Sequence, residues 1–331
     1  MRVLVHGRLA APRADSLRAR AAPGWDIDVW DPATASPEAF AEKVATADVI
    51  VGGAVPLSPW PAAPHLKLWQ IPWTGHEFAR PEEVPAGLPV ANTFEHETAI
   101  AEYVLAAMLE WQIGLRRMDA RFRAEGWGGM ILANGPRHGE VLGKTVGIVG
   151  HGHIGREVAH RARAFGMRAI GIRRASAPCP PELDWLGGPG DLQRLLGEAD
   201  FVVIACDLNA ATRGMIDAAA LSAMKPTGVL INVARGAIVE EDALFAALSE
   251  RRIGGAVIDV WYRYAEPGQP EPWPAHHPFE TLDNVLLSAH ESGTTAETFA
   301  RRWDFVAANI ARIARGAPPE NVIFEGQGPP P

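Results

Sequence analysis

The sequence has few cysteines, no long apolar run and no excess of positive charge. Only Cys179 and Cys206 occur in 331 residues, the second within the strand-like run "FVVIACDL", so neither a disulfide framework nor a cysteine-based metal site is expected. The N-terminal "MRVLVHGRLA" has too short an apolar core for a signal peptide, and no run approaches the roughly 18 apolar residues of a membrane span. A formal net charge of -8 argues against a nucleic-acid surface or an anionic membrane face. We therefore expect a cytoplasmic protein, without a bound metal, whose partners are small molecules or further copies of itself.

Length and pattern together predict two α/β domains. The chain exceeds the usual size of a single hydrophobic core, and short β-rich runs alternate with helical stretches such as "SPEAFAEKVATA", where Ser36 is a cap and Pro37 opens the first turn. This alternation is typical of parallel sheets. Strands are expected at 2–5, 26–30, 48–53, 66–71 and 89–93, and then at 144–150, 168–172, 201–205, 228–233, 255–260 and 284–289.

Two long helices and a tail complete the prediction. One helical pattern covers about residues 97–119 and separates the two sets of strands. Another covers 294–315 with an apolar face, which we expect to return to the first domain. The proline-rich tail "GQGPPP" is expected to be disordered.

A glycine-rich turn lies directly after the predicted strand "TVGIVG". Gly150, Gly152 and Gly155 in "GHGHIG" precede a helical stretch, as in turns that bind a dinucleotide pyrophosphate at a helix N-terminus. The first glycine permits a tight turn, the second lets the backbone approach the phosphates and the third lets the helix pack close to the strand. His153 and Ile154 lie inside the motif and are assigned to the cofactor with it. The alternative is a glycine-rich turn that binds no ligand.

Two arginines end the next strand, in "RAIGIRRASAP". This position faces the adenine ribose, where an acidic side chain would accept hydrogen bonds from both hydroxyls. Arg173 stands there instead, followed by Arg174, and a guanidinium favours a 2′-phosphate. The prediction is therefore NADP(H) in preference to NAD(H). The alternatives are that both arginines are solvated surface cations, or that one stacks on the adenine without selecting the phosphate.

Two stretches of the second half carry a family resemblance. They read "TRGMIDAAALSAMKPTGVLINVARGAIVEEDALFAALSERRIGGAVIDVW" and "LDNVLLSAHESGTT", and with "GHGHIG" they resemble the D-isomer-specific 2-hydroxyacid dehydrogenases. The resemblance implies two Rossmann-like, doubly wound parallel-sheet domains with an active site in the cleft and a homodimer built through the cofactor domains. A discontinuous, flavodoxin-like substrate domain is expected over 1–112 and 293–331, and the dinucleotide-binding domain over 113–292.

The resemblance also implies catalytic roles. Arg235, in "NVARG", matches the arginine that binds the substrate carboxylate and carbonyl oxygen, and a planar anion suits a guanidinium fork. His290, in "SAHESG", matches the residue that gives a proton to the carbonyl oxygen as hydride arrives at C2. Without the motifs around them, the first would be a surface cation and the second a structural histidine.

Further roles follow for cofactor and substrate contacts. Asp259, in "VIDVW", matches the acid that contacts the nicotinamide amide, and the alternative is that it only caps or forms a salt bridge. The backbone that lines the nicotinamide pocket matches Asn232, Val233 and Ala234. The loop whose amides meet the substrate carboxylate matches Trp73, Thr74 and Gly75.

The sequence departs from the family pattern in two places. Members usually have a glutamate five residues after the aspartate, which pairs with the catalytic histidine and raises its pKa. Here Tyr264 stands at the fifth place and Glu266 at the seventh. We assign Glu266 as the partner through a two-residue bulge, with Glu271, Glu291 or no carboxylate as alternatives. Without a carboxylate, reduction would favour lower pH.

The second departure is His96, where many members have asparagine or a small residue. It is assigned to the substrate pocket, with a role at the helix start as the alternative. The function predicted from all these features is NADP(H)-dependent reduction of a small 2-keto acid such as glyoxylate, hydroxypyruvate, or a phenyl- or branched-chain 2-keto acid. The alternatives are a dinucleotide-sensing, non-catalytic regulator of the same fold, or an enzyme like formate dehydrogenase.

Overall fold

The computed structural model describes residues 1–128, 135–265 and 270–329, and the chain divides into two compact units. The first unit comprises Met1–Glu95 and Thr295–Pro331, and the second comprises His96–Thr294. Each unit is built on a parallel or mostly parallel sheet with helices, which confirms the predicted fold class. No helix of the described ranges is both long and apolar enough to cross a membrane.

The strands and helices of the described residues follow the predicted alternation. The strands are β1 (Arg2–His6), β2 (Asp26–Trp30), β3 (Val49–Gly52), β4 (Leu68–Gln70), β5 (Pro89–Ala91), β6 (Thr145–Val149), β7 (Arg168–Ile172), β8 (Trp185–Gly187), β9 (Phe201–Ile204), β10 (Val229–Asn232), β11 (Gly255–Ile258), β12 (Val285–Leu287) and β13 (Val322–Glu325). The helices are α1 (Ala14–Arg18), α2 (Pro37–Val44), α3 (Glu97–Ile113), α4 (Leu115–Glu125), α5 (His153–Ala164), α6 (Leu192–Glu198), α7 (Ala218–Ala223), α8 (Glu241–Ser249) and α9 (Ala296–Ala314).

The sheet of the first unit has the order β13-β5-β4-β3-β1-β2. Strands β1 to β5 are parallel in the flavodoxin-like order, and β13 pairs antiparallel with β5. Alternate residues of β1 face opposite sides, so Val3 and Val5 join one core while Leu4 joins the other. Trp303 and Ile310 of α9 pack into the first of these cores, which confirms that the last long helix returns to the first unit.

The sheet of the second unit has the order β12-β11-β10-β9-β6-β7-β8, and all its strands are parallel. The chain builds outward from β6 to β8, then crosses over and builds outward from β9 to β12. The reversal of strand order therefore lies between β6 and β9. In sheets of this kind, ligands bind outside the carboxyl ends of the strands at the point of reversal. Neither β8 nor β13 of the first unit was predicted from the sequence.

The helix predicted over 97–119 is two helices. Gly114 adopts a left-handed conformation (φ 70°), which ends α3 and begins α4 because glycine has no Cβ to oppose it. Apolar residues of α3, among them Val104 and Met108, pack into a core of the second unit, and α3 lies against α5. The division of the structure therefore falls before α3, whereas the sequence-based boundary fell after residue 112.

The tail after β13 is ordered as far as the structure describes it. The backbone N–H of Gly326 donates to the carbonyl oxygen of Leu88 at 2.9 Å, and that of Gly328 donates to Val84 at 2.8 Å. The expectation of disorder is wrong for this part of the tail, because its backbone groups bond to the residues before β5.

Candidate active site

The glycine-rich turn joins β6 to α5 as predicted. Gly150 has a φ of 105°, and a Cβ there would lie 2.6 Å from the backbone nitrogen of Cys206. A Cβ at Gly155 would collide with the carbonyl oxygen of Gly150. A Cβ at Gly152 would meet no described protein atom within 4 Å. Packing therefore requires the first and third glycines, while the second leaves open space at the N-terminus of α5, where an anion is stabilised. This turn fits a dinucleotide pyrophosphate.

Residues around this turn form the second part of the candidate cofactor site. His153 and Ile154 are the first two residues of α5. Arg173 and Arg174 follow β7 directly and are exposed, with the backbone N–H of Arg173 donating to Gly187 at 3.1 Å. The two predicted arginines thus stand at the carboxyl end of the strand next to β6.

A buried histidine in the turn was missed by sequence reasoning. His151 Nε2 lies 3.5 Å from Oε1 of Glu182, and both side chains are less than a tenth exposed. Burial lowers the pKa of His151, the Glu182 carboxylate opposes this shift, and the charges of Arg156 and Arg173 add to it. The position inside "GHGHIG" marked His151 as close to the cofactor turn, but its ion-pair partner lies far along the chain.

Arg235 lies on a tight turn after β10. The side-chain oxygen of Asn232 accepts a hydrogen bond from the backbone of Ala234 at 3.1 Å, and its amide donates to the carbonyl of Arg235 at 3.0 Å. The half-buried Arg235 donates through Nη1 to Ala234 at 2.8 Å. A side chain at Gly236 would collide with the backbone of Trp261. The position of Arg235 is therefore set by its own turn and by the strand beside it. Val233, which was predicted with Asn232 and Ala234 to line the nicotinamide pocket, is buried.

His290 lies on the turn after β12, and Asp259 holds that turn in place. The fully buried carboxylate of Asp259 follows β11 and accepts hydrogen bonds from Ser288 Oγ (2.6 Å) and from the backbone N–H groups of Glu291 (2.8 Å) and Ser292 (3.2 Å). His290, between these donors, has a left-handed φ of 59°, a conformation that is strained in a residue other than glycine. Asp259 thus contributes to the site by ordering the turn of His290, and its contact with nicotinamide stays a prediction.

The hydrogen-bond partner of His290 is a tyrosine. Nδ1 of His290 lies 2.9 Å from the hydroxyl of Tyr264. The predicted partner, Glu266, lies outside the described residues. Within the part of the chain that the structure describes, neither Glu271 nor Glu291 makes a hydrogen bond or ion pair with the ring. Burial lowers the pKa of His290, and Arg235 lowers it further, while the charge of Asp259 opposes both.

The predicted substrate loop belongs to the first unit. Trp73, Thr74 and Gly75 follow β4 and are half-buried. The carbonyl of Trp73 accepts from the backbone of Thr93 at 3.1 Å, and the hydroxyl of Thr74 donates to the carbonyl of Thr93 at 2.9 Å. Their contact with substrate stays a prediction.

His96 belongs to the second unit and precedes α3. A Cβ at Gly293 would lie 3.4 Å from the Cβ of His96, so this residue lies beside the turn of His290. The structure thus brings Arg235, Asp259 and His290 together at the carboxyl ends of the adjacent strands β10, β11 and β12, with His96 next to the last of these turns.

Comparison with known proteins gives the family. Residues 105–292 match the family model described as D-isomer specific 2-hydroxyacid dehydrogenase, NAD binding domain. The chain is 32% identical over 309 residues to a glyoxylate reductase from Pyrococcus furiosus, which covers 90% of this chain and 89% of the relative. It superposes on a 2-hydroxyacid dehydrogenase from Ketogulonicigenium vulgare with a TM-score of 0.78, at 26% identity and with 98% and 99% of the two chains covered. For an NADPH-dependent glyoxylate/hydroxypyruvate reductase from Sinorhizobium meliloti, in complex with NADP and sulfate, the TM-score is 0.76 at 24% identity, with 97% and 98% covered, a likeness of fold. The chain therefore belongs to the D-isomer-specific 2-hydroxyacid dehydrogenases and is an NAD(P)-dependent oxidoreductase.

Proposed function

We propose that this protein uses NADPH to reduce a small 2-keto acid to the corresponding 2-hydroxy acid, with Arg235 binding the carboxylate and His290 delivering the proton. The observation that carries the proposal is the placement of both residues at the carboxyl ends of β10 and β12, on either side of β11, each on a turn held by internal hydrogen bonds. When bound, the nicotinamide ring supplies a hydride to C2 of the keto acid.

Arg235 suits a 2-keto acid because its guanidinium is permanently charged and planar. A carboxylate and the adjacent carbonyl oxygen present two acceptors in one plane, which a guanidinium fork can engage together. The turn around Asn232 fixes the backbone of Arg235 before substrate arrives, so little of the binding free energy is lost in ordering the arginine.

His290 acts as the general acid in reduction and as the general base in oxidation. Nδ1 is engaged with Tyr264, so Nε2 is the nitrogen available to the substrate oxygen. In reduction the proton passes from Nε2 to the carbonyl oxygen as C2 gains the hydride, and solvent then returns a proton to the ring. A positioned general acid of this kind contributes about 10²- to 10⁴-fold to the rate.

The preference for NADP(H) rests on Arg173 and Arg174. Both stand at the end of β7, beside the glycine turn, and both are exposed. Charge-assisted hydrogen bonds of roughly 1.5 to 3 kcal/mol each to a 2′-phosphate would favour NADP(H) over NAD(H) by about ten- to hundredfold.

The proposed substrates are small. Several of the relatives that match most of this chain are glyoxylate reductases, so glyoxylate and hydroxypyruvate come first, followed by phenyl- and branched-chain 2-keto acids. Trp73, Thr74, Gly75 and His96 are the side chains and amides proposed to limit substrate size. We place the enzyme in the cytoplasm, where its two free thiols, Cys179 and Cys206, would stay reduced.

A homodimer is proposed through the second unit. Every residue of α4 is at least partly exposed, and Leu115, Phe122 and the nearby Trp127 are each more than half exposed. Exposed apolar side chains grouped in this way are typical of a protein contact. Phe122→Glu is expected to convert a dimer to a monomer in light scattering after size exclusion, and a wild-type monomer would contradict the proposed dimer.

The function is tested by following oxidation of NADPH and of NADH against glyoxylate, hydroxypyruvate, pyruvate, phenylpyruvate and 2-ketoisocaproate. Turnover is expected with NADPH preferred. Arg235→Ala should lower kcat/KM by about a hundredfold or more, because two charge-assisted bonds are lost. Arg235→Lys keeps the charge but not the planar fork, so its kcat/KM should fall less than that of Arg235→Ala and stay below that of the wild type. Undiminished turnover in Arg235→Ala, or no turnover of any acid by the wild type, would refute the proposal.

A further inference from the structure

The segment after β11 places a phenol where the family pattern has a carboxylate. Tyr264 Oη lies 2.9 Å from Nδ1 of His290, and the two rings meet edge to face, with centroids 5.7 Å apart and planes at 65°. The backbone N–H of Trp261 points to the same hydroxyl, at 3.2 Å. Trp261 is itself fixed, since its indole N–H donates to the carbonyl of Ser288, on the turn of His290, at 2.8 Å. The hydroxyl is therefore held from two sides.

These contacts let the phenol pair with Nδ1 of His290 in every protonation state of the ring. A phenol has one proton to donate and two lone pairs to accept with. Trp261 donates to one lone pair, which leaves the phenolic proton and the other lone pair for Nδ1 of His290. Nδ1 accepts the phenolic proton when the ring proton is on Nε2, and Nδ1–H donates to the lone pair in the tautomer that remains once Nε2 has given its proton to the substrate. When the ring is doubly protonated, Nδ1–H donates to the remaining lone pair of the phenol, whose own proton turns away, so the ring keeps its orientation in both states.

We propose that Tyr264 is the positioning residue of His290, holding Nδ1 so that Nε2 faces the substrate oxygen in both protonation states. The inference rests on the proposed function, since it deepens the role of His290 in the same reaction. It also replaces the carboxylate partner expected from the family pattern with a neutral group.

Because Tyr264 is uncharged, it does not raise the pKa of His290 as a carboxylate would, and this affects the pH at which reduction falls. Burial raises the pKa of Tyr264, against the opposing contributions of the Trp261 N–H and the Arg235 charge, so the phenol stays protonated at physiological pH. Among the described residues of its own unit, the charged groups that act on the pKa of His290 are Asp259, whose oxygens are bonded to the turn, and Arg235. The pKa of His290 is lowered by burial, so the charged ring that reduction needs is populated only toward acidic pH. Reduction therefore falls off at lower pH than it would with a carboxylate partner, and oxidation remains active to lower pH.

The test compares Tyr264→Phe and Tyr264→Glu with the wild type. In long-range ¹H–¹⁵N spectra of the free protein, the Nδ1 signal of His290 should shift in Tyr264→Phe, because this nitrogen loses its hydrogen-bond partner. The His290 signals are those that disappear in His290→Gln. In steady-state kinetics with glyoxylate and NADPH, Tyr264→Phe should lower kcat about tenfold with KM within about twofold, as expected for one lost orienting hydrogen bond. Tyr264→Glu should raise the pH at which reduction falls by about one unit or more.

Two further variants serve as controls. Tyr262→Phe removes a hydroxyl two residues away, from a ring stacked on Phe279, and should change neither the Nδ1 signal of His290 nor the pH profile. Glu266→Gln should leave the pH profile as in the wild type. A shifted profile in Glu266→Gln with an unchanged one in both Tyr264 variants, or an unchanged Nδ1 signal in Tyr264→Phe, would overturn the proposal. The spectra need no substrate, so a failure of the proposed activity would be distinguishable from a failure of this inference.

Discussion

Two turns at the carboxyl edge of one sheet differ in how closely they follow the family pattern. The turn after β6 has glycine at each of the three expected places, and packing requires two of them. The segment after β11 keeps its aspartate but places the hydroxyl of Tyr264 beside Nδ1 of His290. Where the backbone leaves no room for a Cβ, only glycine fits, so the residue is fixed. A hydrogen-bond partner, in contrast, can be replaced by any group that reaches the same atom.

His290, on the turn after β12, is the proposed general acid, so its replacement should lower activity the most. His290→Gln removes the general acid, and kcat for reduction should fall by about 10²- to 10⁴-fold while the dissociation constant for NADPH stays within about twofold. Stopped-flow NADPH oxidation and fluorescence titration measure the two quantities. A loss of cofactor affinity equal to the loss of rate would show that His290 is structural.

The next effect concerns the residues that follow β7. Arg173→Asp should reverse the preference from NADPH to NADH, with a change in the ratio of kcat/KM values of about ten- to hundredfold, because a carboxylate repels the 2′-phosphate. Arg174→Ala is the control, and the same ratio of kcat/KM values is measured for it. If Arg174→Ala changes the ratio and Arg173→Asp does not, the phosphate contact belongs to Arg174. If neither changes it, both are surface cations.

A smaller change in cofactor affinity is expected from a substitution in the glycine turn after β6. The space above Gly152 is open in the protein, so Gly152→Ala should fold normally and weaken NADPH binding about tenfold by intruding on the pyrophosphate. Gly190→Ala, also at a position with open space around it, should leave both the melting temperature and the affinity unchanged. Unchanged cofactor affinity in Gly152→Ala would mean that the dinucleotide does not use this turn.

Much of the fold could be predicted from the sequence because it depends on periodic patterns. The βαβ alternation predicted five of the six strands of the first sheet and six of the seven strands of the second, and the apolar face of α9 predicted the return of the chain to the first unit. Strand β8 was missed because its three half-buried residues lie in a stretch rich in proline and glycine. The helix break at Gly114 was missed because one glycine inside a long helical pattern does not by itself indicate an end.

The positions of the site residues could be predicted from the sequence, whereas their contacts could not. Arg235 and His290 lie on turns at the carboxyl ends of β10 and β12, after the strands that the sequence predicted, and their catalytic roles stay predictions. Asp259 bonds to two backbone N–H groups, which carry no sequence signal. The contact between Tyr264 and His290 was not anticipated because it depends on side-chain geometry, and because a tyrosine at the expected glutamate position indicates only that the carboxylate is missing.

The proposed mechanism is tested most directly by a crystal structure of the protein with NADP⁺ and oxamate, an unreactive analogue of a 2-keto acid. We expect the oxamate carboxylate on the guanidinium of Arg235, Nε2 of His290 within hydrogen-bond distance of the oxamate carbonyl oxygen, and Nδ1 still on the hydroxyl of Tyr264. Oxamate bound away from Arg235, or Nδ1 of His290 bonded to a carboxylate, would contradict it.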